Sequence, residues 1–107
     1  MQLARSGDIL AVRLMKGEGV HPSILEAFRQ QGCQGGFVVS GIGMLADPEL
    51  GFFAGKGQYE RRQFSGHFEL LNLSGNVSLH EGELMAHLHV MLANEDYSVF
   101  GGHLFSA

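Results

Sequence analysis

The sequence predicts a strand-rich single domain with one helix. At 107 residues the chain can bury one hydrophobic core but is shorter than the length at which chains usually divide into domains. Sixteen glycines against two prolines favour many tight turns and close backbone approaches, which suit strands better than a helical bundle. Apolar and polar side chains alternate along several stretches, whereas one stretch alone has convincing helical spacing. We therefore expect a sheet accompanied by a single helix.

The N-terminal part of the chain contains the predicted opening strand and the helix. Residues 8–14 alternate in polarity and are predicted to form the strand. Residues 22–31 begin with proline, carry apolar side chains at helical spacing and are followed by Gly32, which is typical of a helix and its C-terminal glycine. His21 precedes this segment and is interpreted as a helix-entry residue rather than a ligand.

The middle of the chain is predicted to contain short strands. Residues 36–40 form an apolar strand that ends at Gly41-Ile42-Gly43, which we interpret as a tight turn or bulge because no Lys-Ser/Thr completes a phosphate loop. Residues 50–54 and 58–64 are predicted to pair around a glycine-rich turn. This pair carries the one concentration of basic side chains, which is interpreted as a solvated face: Lys56, Arg61 and Arg62.

The longest predicted strand, residues 68–79, leads through a two-residue turn at Glu81-Gly82 into a strand that starts at Glu83. This turn pairs Asn76 with His87 and Ser74 with His89. Because successive side chains in a strand alternate faces, His87 and His89 share one face of the sheet. The hydrogen-bonding side chains that the register places on this face are Asn72, Ser74 and Asn76.

A third histidine, His103, is expected on the same face. Turn-forming residues at 94–96 predict a five-residue loop centred on Glu95, which places His103 opposite His87 and Gly101 opposite His89. A four-residue loop would instead send His103 to the other face, unless a bulge at the Gly101-Gly102 pair re-aims it. Gly101 leaves room above the sheet for a ligand.

Three converging imidazoles can hold a divalent metal and leave a fourth position for water or a small ligand. Neutral imidazole suits zinc, copper, nickel or iron, so zinc or another divalent metal is expected on His87, His89 and His103. The alternative is that these histidines are polar residues on a solvated strand face. Asn72, Ser74 and Asn76 would form the pocket wall around the imidazoles.

Charge and composition restrict the partners and the compartment. The net charge of −4 and a total of seven Lys and Arg cannot build a large basic patch, as nucleic-acid binding usually requires. No apolar run approaches the length of a membrane span and the N-terminus has no signal-type apolar region, so a cytoplasmic protein without membrane contact is expected. The single cysteine, Cys33, is interpreted as a passive thiol.

Four motifs along the chain are similar to one known family. The order of residues 66–76, His87-Leu88-His89 and Gly101-Gly102-His103-Leu104, with the early helix and Gly41-Ile42-Gly43-Met44, resembles the plant-and-prokaryote-conserved (PPC) domain. That domain occurs beside AT-hooks in plant nuclear proteins and alone in bacteria and archaea. The resemblance implies an α+β fold with a curved, mostly antiparallel sheet, assembled as a homotrimer. It also implies a metal, commonly zinc, on the residues that match the family's histidine motifs: His87, His89 and His103.

The sequence departs from the family pattern at three places. Plant members carry a Gly-Arg-Phe-Glu-Ile-Leu hexapeptide linked to partner binding, and the matching candidate residues here are Gly66, His67, Phe68, Glu69, Leu70 and Leu71. His67 replaces the arginine, which removes its fork of hydrogen-bond donors. No Arg-Gly-Arg-Pro AT-hook is present, so we expect DNA association to be weak or indirect. Family chains continue with another strand after the region where this sequence ends, so the strand over residues 98–105 is expected to have an open edge that subunit contacts cover.

These features favour a trimeric metal-binding domain that acts as a regulatory or DNA-associated binding module, with protein partners in addition to its own copies. The alternative is a small zinc-dependent enzyme in which Glu69 or Glu83 acts as the base. Both carboxylates are expected on the face away from the histidines, which weighs against the enzyme. A third possibility is a structural trimer in which the histidines have no function.

Overall fold

The structure, a computed structural model, describes residues 1–107. It contains nine strands and one helix, in the following order along the chain. The elements are β1 (Gln2–Ser6), β2 (Ile9–Arg13), α1 (Val20–Gln30), β3 (Gly36–Val38), β4 (Gly43–Ala46), β5 (Glu49–Gly55), β6 (Gln58–Gln63), β7 (His67–His80), β8 (Glu83–Ala93) and β9 (Val99–Ser106).

Seven strands form one open sheet in the order β3-β7-β8-β9-β5-β6, and β4 pairs with β7 beside β3. Every strand pair in it is antiparallel. Strands β1 and β2 form a separate two-stranded hairpin. The α+β fold class with a mostly antiparallel sheet and one helix is therefore confirmed.

The hydrophobic core lies on one face of the sheet. On β8 the even-numbered side chains Leu88, Val90 and Leu92 are buried, and the odd-numbered ones point to the other, exposed face. Helix α1 covers the buried face with Val20 and Ile24. The core is completed from β4, β5, β7 and β9 by Leu45, Leu50, Leu70, Leu73, Val77 and Leu104.

Helix α1 begins two residues earlier than predicted and ends one residue earlier. Its N-cap residue, Gly19, makes no side-chain hydrogen bond to the helix, and the amide of Val20 donates to the carbonyl oxygen of Ala107 at 3.1 Å. At the other end Gly32 has a positive φ of 65°, the conformation that a glycine after a helix commonly supplies. The hydrogen bond between Val20 and Ala107 fixes the end of β9 against the start of the helix.

No helix of the chain combines the length and the hydrophobicity needed to cross a bilayer.

Two strands were not predicted. Strand β1 pairs with β2, the strand that sequence patterning placed over residues 8–14, but its own short segment lacks clear alternation. Strand β4 begins at Gly43, inside the segment interpreted as a tight turn. There the carbonyl oxygen of Gly41 accepts a 3.0 Å hydrogen bond from the amide of Leu73, so the segment continues along β7 instead of turning away.

The prediction that β9 has an open edge is wrong. Strand β5 lies along the side of β9 that was expected to be free, with Leu50 opposite Leu104 and Gly51 opposite His103. This pairing joins residues about fifty positions apart, and local polarity patterns carry no information about such contacts. The edges of the sheet are instead β6 at one side and β3 with β4 at the other.

Candidate metal centre

The β7–β8 hairpin has the predicted register. Glu81-Gly82 forms the turn, with positive φ at both residues, and His80 pairs with Glu83. Asn76 lies opposite His87 and Ser74 lies opposite His89, as predicted. The two-residue loop fixes this register because turn type and loop length determine which residues oppose one another.

The pairing register of the β8–β9 hairpin is displaced from the predicted register by two residues. Its five-residue loop spans 94–98, so His103 lies opposite His89 instead of His87, and Gly101 lies opposite Met91. The side-chain oxygen of Asn94 accepts hydrogen bonds from the amides of Asp96 at 2.9 Å and Ser98 at 3.0 Å, which holds the loop. Because the displacement is an even number of residues, His103 remains on the predicted face.

The three imidazoles meet on this face. The Nε2 atoms of His87 and His89 are 3.2 Å apart, and the ring of His103 lies 4.9 Å from that of His87 and 5.8 Å from that of His89, measured between centroids. One ring nitrogen from each residue lies within 4.8 Å of the others. Metal–nitrogen bonds of about 2.0 to 2.1 Å at tetrahedral angles separate two ligand nitrogens by roughly 3.4 Å, so the separation of the closest pair fits a shared metal.

The local electrostatics keep His103 in the form that binds metals. Burial lowers the pKa of His103, and repulsion from His87 and His89 lowers it further. A lowered pKa favours the neutral imidazole, which has a free lone pair. The Nδ1 atom of His103 is buried and has no hydrogen-bond partner within the chain.

An aromatic wall formed by Tyr59 on β6 and Phe105 on β9 flanks His103. The rings of Tyr59 and Phe105 lie 4.7 Å and 4.5 Å from the His103 ring, and the Arg61 guanidinium stacks 3.8 Å above Phe105. Gly51 makes this possible, since a Cβ at that position would overlap the Phe105 ring. The sequence pattern did not identify this wall because it depends on the long-range pairing of β5 with β9.

Most of the predicted pocket residues surround His89. An open depression of about 440 Å³ beside this residue is lined in part by the predicted Asn72, Ser74, Gly101 and Gly102. Asn76 lies outside it, opposite His87 and exposed. His89 is the one imidazole of the cluster that lines the depression.

The expected placement of the two carboxylates is wrong. Glu83 alternates with Met85 and His87, which puts it on the histidine face. Glu69 reaches that face because a bulge at Leu71 reverses the alternation between the buried Leu70 and Asn72. Glu83 nevertheless lies four residues from His87 along β8, and Glu69 pairs with Ala93, four residues from His89. Four residues of a strand span about 13 Å at 3.3 Å per residue. No carboxylate joins the imidazole cluster.

The hexapeptide matched to the plant motif occupies the other end of β7. The amide of Gly66 donates to a carboxylate oxygen of Asp47 at 2.7 Å, and the Gly66 carbonyl accepts from the Asp47 amide at 2.9 Å. His67 and Glu69 are exposed, Phe68 packs against the core and Leu70 is buried. These residues do not contact the imidazole cluster.

The sequence profile of the Plants and Prokaryotes Conserved domain, abbreviated PCC or PPC, matches residues 1–107. The chain belongs to the PPC domain family. A PPC protein of solved structure from Pyrococcus horikoshii is 37% identical and superposes with a TM-score of 0.85, over 98% of this chain and 71% of that one. The resemblance drawn from the sequence motifs is thereby confirmed.

Two other solved PPC-like structures carry functional descriptions of their own. A metal-containing protein from Archaeoglobus fulgidus is 32% identical with a TM-score of 0.81, over 90% of this chain and 68% of that one. A candidate DNA-binding protein from Bacteroides thetaiotaomicron is 28% identical with a TM-score of 0.91, over 99% of this chain and 74% of that one.

The PPC domain also matches part of a much longer curated protein. Bifunctional protein GlmU from a Synechococcus strain is 32% identical over 96 residues, which are 90% of this chain and 14% of the GlmU chain. The chain therefore spans about a seventh of the length of this relative.

Proposed function

We propose that this PPC domain binds one divalent metal ion per chain through His87, His89 and His103. The observation that carries the proposal is the convergence of three ring nitrogens within 4.8 Å on an exposed sheet face, two of them at a spacing that fits a shared metal.

Zinc is the first candidate for this ion, because three neutral imidazoles with an open fourth position form a recurrent zinc ligand set. The metal-containing relative from Archaeoglobus fulgidus supports the assignment of a metal to this fold. A bound zinc ion would supply a positive charge and a position for a water or anionic ligand beside the depression at His89. No carboxylate lies in the cluster to act as a base, so a binding role is better supported than catalysis.

The test is the metal content of protein purified without a nickel column or chelator. We expect about one equivalent of metal in the wild type and a loss in each of the variants His87→Ala, His89→Ala and His103→Ala. Loss of a direct ligand should weaken binding at least as much as loss of a supporting partner, roughly 10- to 100-fold. His80→Ala, another exposed histidine on the same hairpin but outside the cluster, is the matched control. Full metal content in the triple alanine variant would overturn the proposal.

We propose further that the domain acts as a regulatory binding module that contacts DNA indirectly. The family likeness to a candidate DNA-binding protein from Bacteroides thetaiotaomicron supports an association with DNA. The charges of this chain argue against direct readout, since the net charge is −4 and Arg61 is engaged by Glu49 at 2.6 Å. Protein partners would then mediate the DNA association, with the exposed His67 and Glu69 as candidate contacts.

The proposed assembly is a homotrimer. It is supported by exposed apolar side chains that water solvates poorly, among them Phe37, Val39 and Ile42 near the β3–β4 edge of the sheet. Light scattering across a concentration series should give about three times the 11.6 kDa mass of one chain, with dissociation on dilution. A monodisperse monomer at all concentrations would contradict the trimer.

A further inference from the structure

Strand β8 presents sulfur donors on both sides of its two histidines. Met85, His87, His89 and Met91 occupy alternate positions, and their partners on β7 show that all four lie on the same face. Both methionines are about half exposed, 52% for Met85 and 50% for Met91. Neither side chain is therefore needed to fill the core, which lies on the opposite face.

Met91 is the methionine whose position suits metal binding. It lines the same depression as His89, two residues away, and the residue opposite it on β9 is Gly101. A Cβ at Gly101 would overlap the carbonyl oxygen of Val90, so this glycine lets the β9 backbone approach β8 closely, and the half-exposed Met91 lines the depression together with it. Met85 lies opposite Ser78, beyond His87, and does not line the depression.

Thioether sulfur is a soft ligand that favours monovalent copper, whereas zinc in proteins is held by thiolate, imidazole and carboxylate groups. Imidazole nitrogen binds both metals. We propose that the imidazole cluster also binds Cu(I), and that the Met91 thioether joins the histidines as a ligand for Cu(I) but not for zinc. This inference rests on the proposed function, because the two metals would share the histidines.

An apolar contact with another molecule is the other role that an exposed methionine could have. The variant Met91→Leu separates the two roles, because leucine keeps the volume and the apolar character of methionine but has no sulfur. Met85→Leu is the matched control, since it removes an equally exposed thioether on the same strand face outside the depression.

The experiment is a competition for Cu(I) between the protein and a chromophoric Cu(I) chelator, under ascorbate and without oxygen. All variants carry Cys33→Ser, because the single thiol of the chain would itself bind Cu(I). A parallel zinc competition with a fluorescent zinc chelator uses the same proteins, and circular dichroism verifies that each variant is folded.

We expect Met91→Leu to weaken Cu(I) binding by roughly tenfold or more, an effect within the range found for groups that support a metal site. Met85→Leu should bind Cu(I) as the parent does, and both variants should bind zinc as the parent does. Equal Cu(I) affinity in Met91→Leu and the parent would overturn the inference while leaving the zinc site in place. Equal loss of Cu(I) and zinc in Met91→Leu would also overturn it, since that pattern indicates a change in shape. Zinc binding that survives removal of the three histidines would instead refute the proposed function itself.

Discussion

A Gly75→Ala substitution would place a methyl group between strands β7 and β8, against the backbone of His87. A Cβ at Gly75 would overlap the carbonyl oxygen of His87, and the φ of Gly75 is +154°, a conformation that L side chains rarely adopt. The substitution therefore acts in two ways, through backbone strain and through a steric clash that forces the strands apart. Gly43 separates the two effects, since its φ is +147° and a Cβ there would meet nothing within 4 Å.

The expected magnitudes follow from these two terms. Backbone strain at a non-glycine residue of this kind costs about 1 to 3 kcal/mol, which both variants share. Overpacking adds typically about 1 to 3 kcal/mol in Gly75→Ala alone. The total cost for Gly75→Ala is roughly 2 to 6 kcal/mol, a large part of the 5 to 15 kcal/mol of stability usual for a domain. The Gly43→Ala variant has only the strain cost and should keep most of its stability.

Urea denaturation of the metal-free proteins, in the presence of a chelator, measures the difference between the two variants. The chelator is required because a bound metal stabilises the folded state by mass action. We expect Gly75→Ala to be the less stable variant by at least about 1 kcal/mol and to bind zinc more weakly, because the backbone of His87 must move. Equal stability of the two variants would refute the assignment of Gly75 to a close strand contact.

Three further predictions concern the core, the half-buried His21 and nucleic acid. Leu88→Ala should cost about 2 to 5 kcal/mol in urea unfolding, because the Leu88 side chain is fully buried, and an unchanged midpoint would contradict the described core. Burial lowers the pKa of His21, so the unfolded chain binds more protons than the folded chain. Stability of the metal-free protein should therefore fall as the pH drops through about 6.5 and below, and His21→Gln should flatten that dependence; an equally steep profile in the variant would contradict it. In mobility assays at physiological salt, duplex DNA should bind weakly and without sequence preference, because the net charge is −4, and a tight sequence-selective shift would overturn this.

The sequence carried enough information to predict the composition of the histidine cluster. Alternation placed His87 and His89 on one face, and Glu81-Gly82 fixed the register that brings Ser74 and Asn76 opposite them. These signals are local, since a two-residue turn leaves the flanking strands little choice of register. The five-residue loop at 94–98 is less restrictive, and the predicted partner of His103 was accordingly displaced by two residues.

The environment of the cluster could not be predicted from local signals. The β5–β9 pairing that places Tyr59 beside His103 joins segments far apart in the chain. The bulge at Leu71 brings Glu69 to the histidine face, and no glycine at this position indicates a bulge in the sequence. Long-range pairing and bulges are set by the packing of the whole sheet, so the structure was needed to locate both.

The central claim is that three imidazoles, and no other side chains, hold the zinc ion. X-ray absorption at the zinc edge of the zinc-loaded protein tests it most directly, because scattering from imidazole rings differs from scattering by sulfur or carboxylate ligands. We predict three imidazole nitrogens at about 2.0 to 2.1 Å and one further light atom in the fourth position. His103→Ala should reduce the imidazole signal to two rings or abolish binding. A wild-type spectrum with sulfur scattering at about 2.3 Å, or without imidazole scattering, would contradict the account.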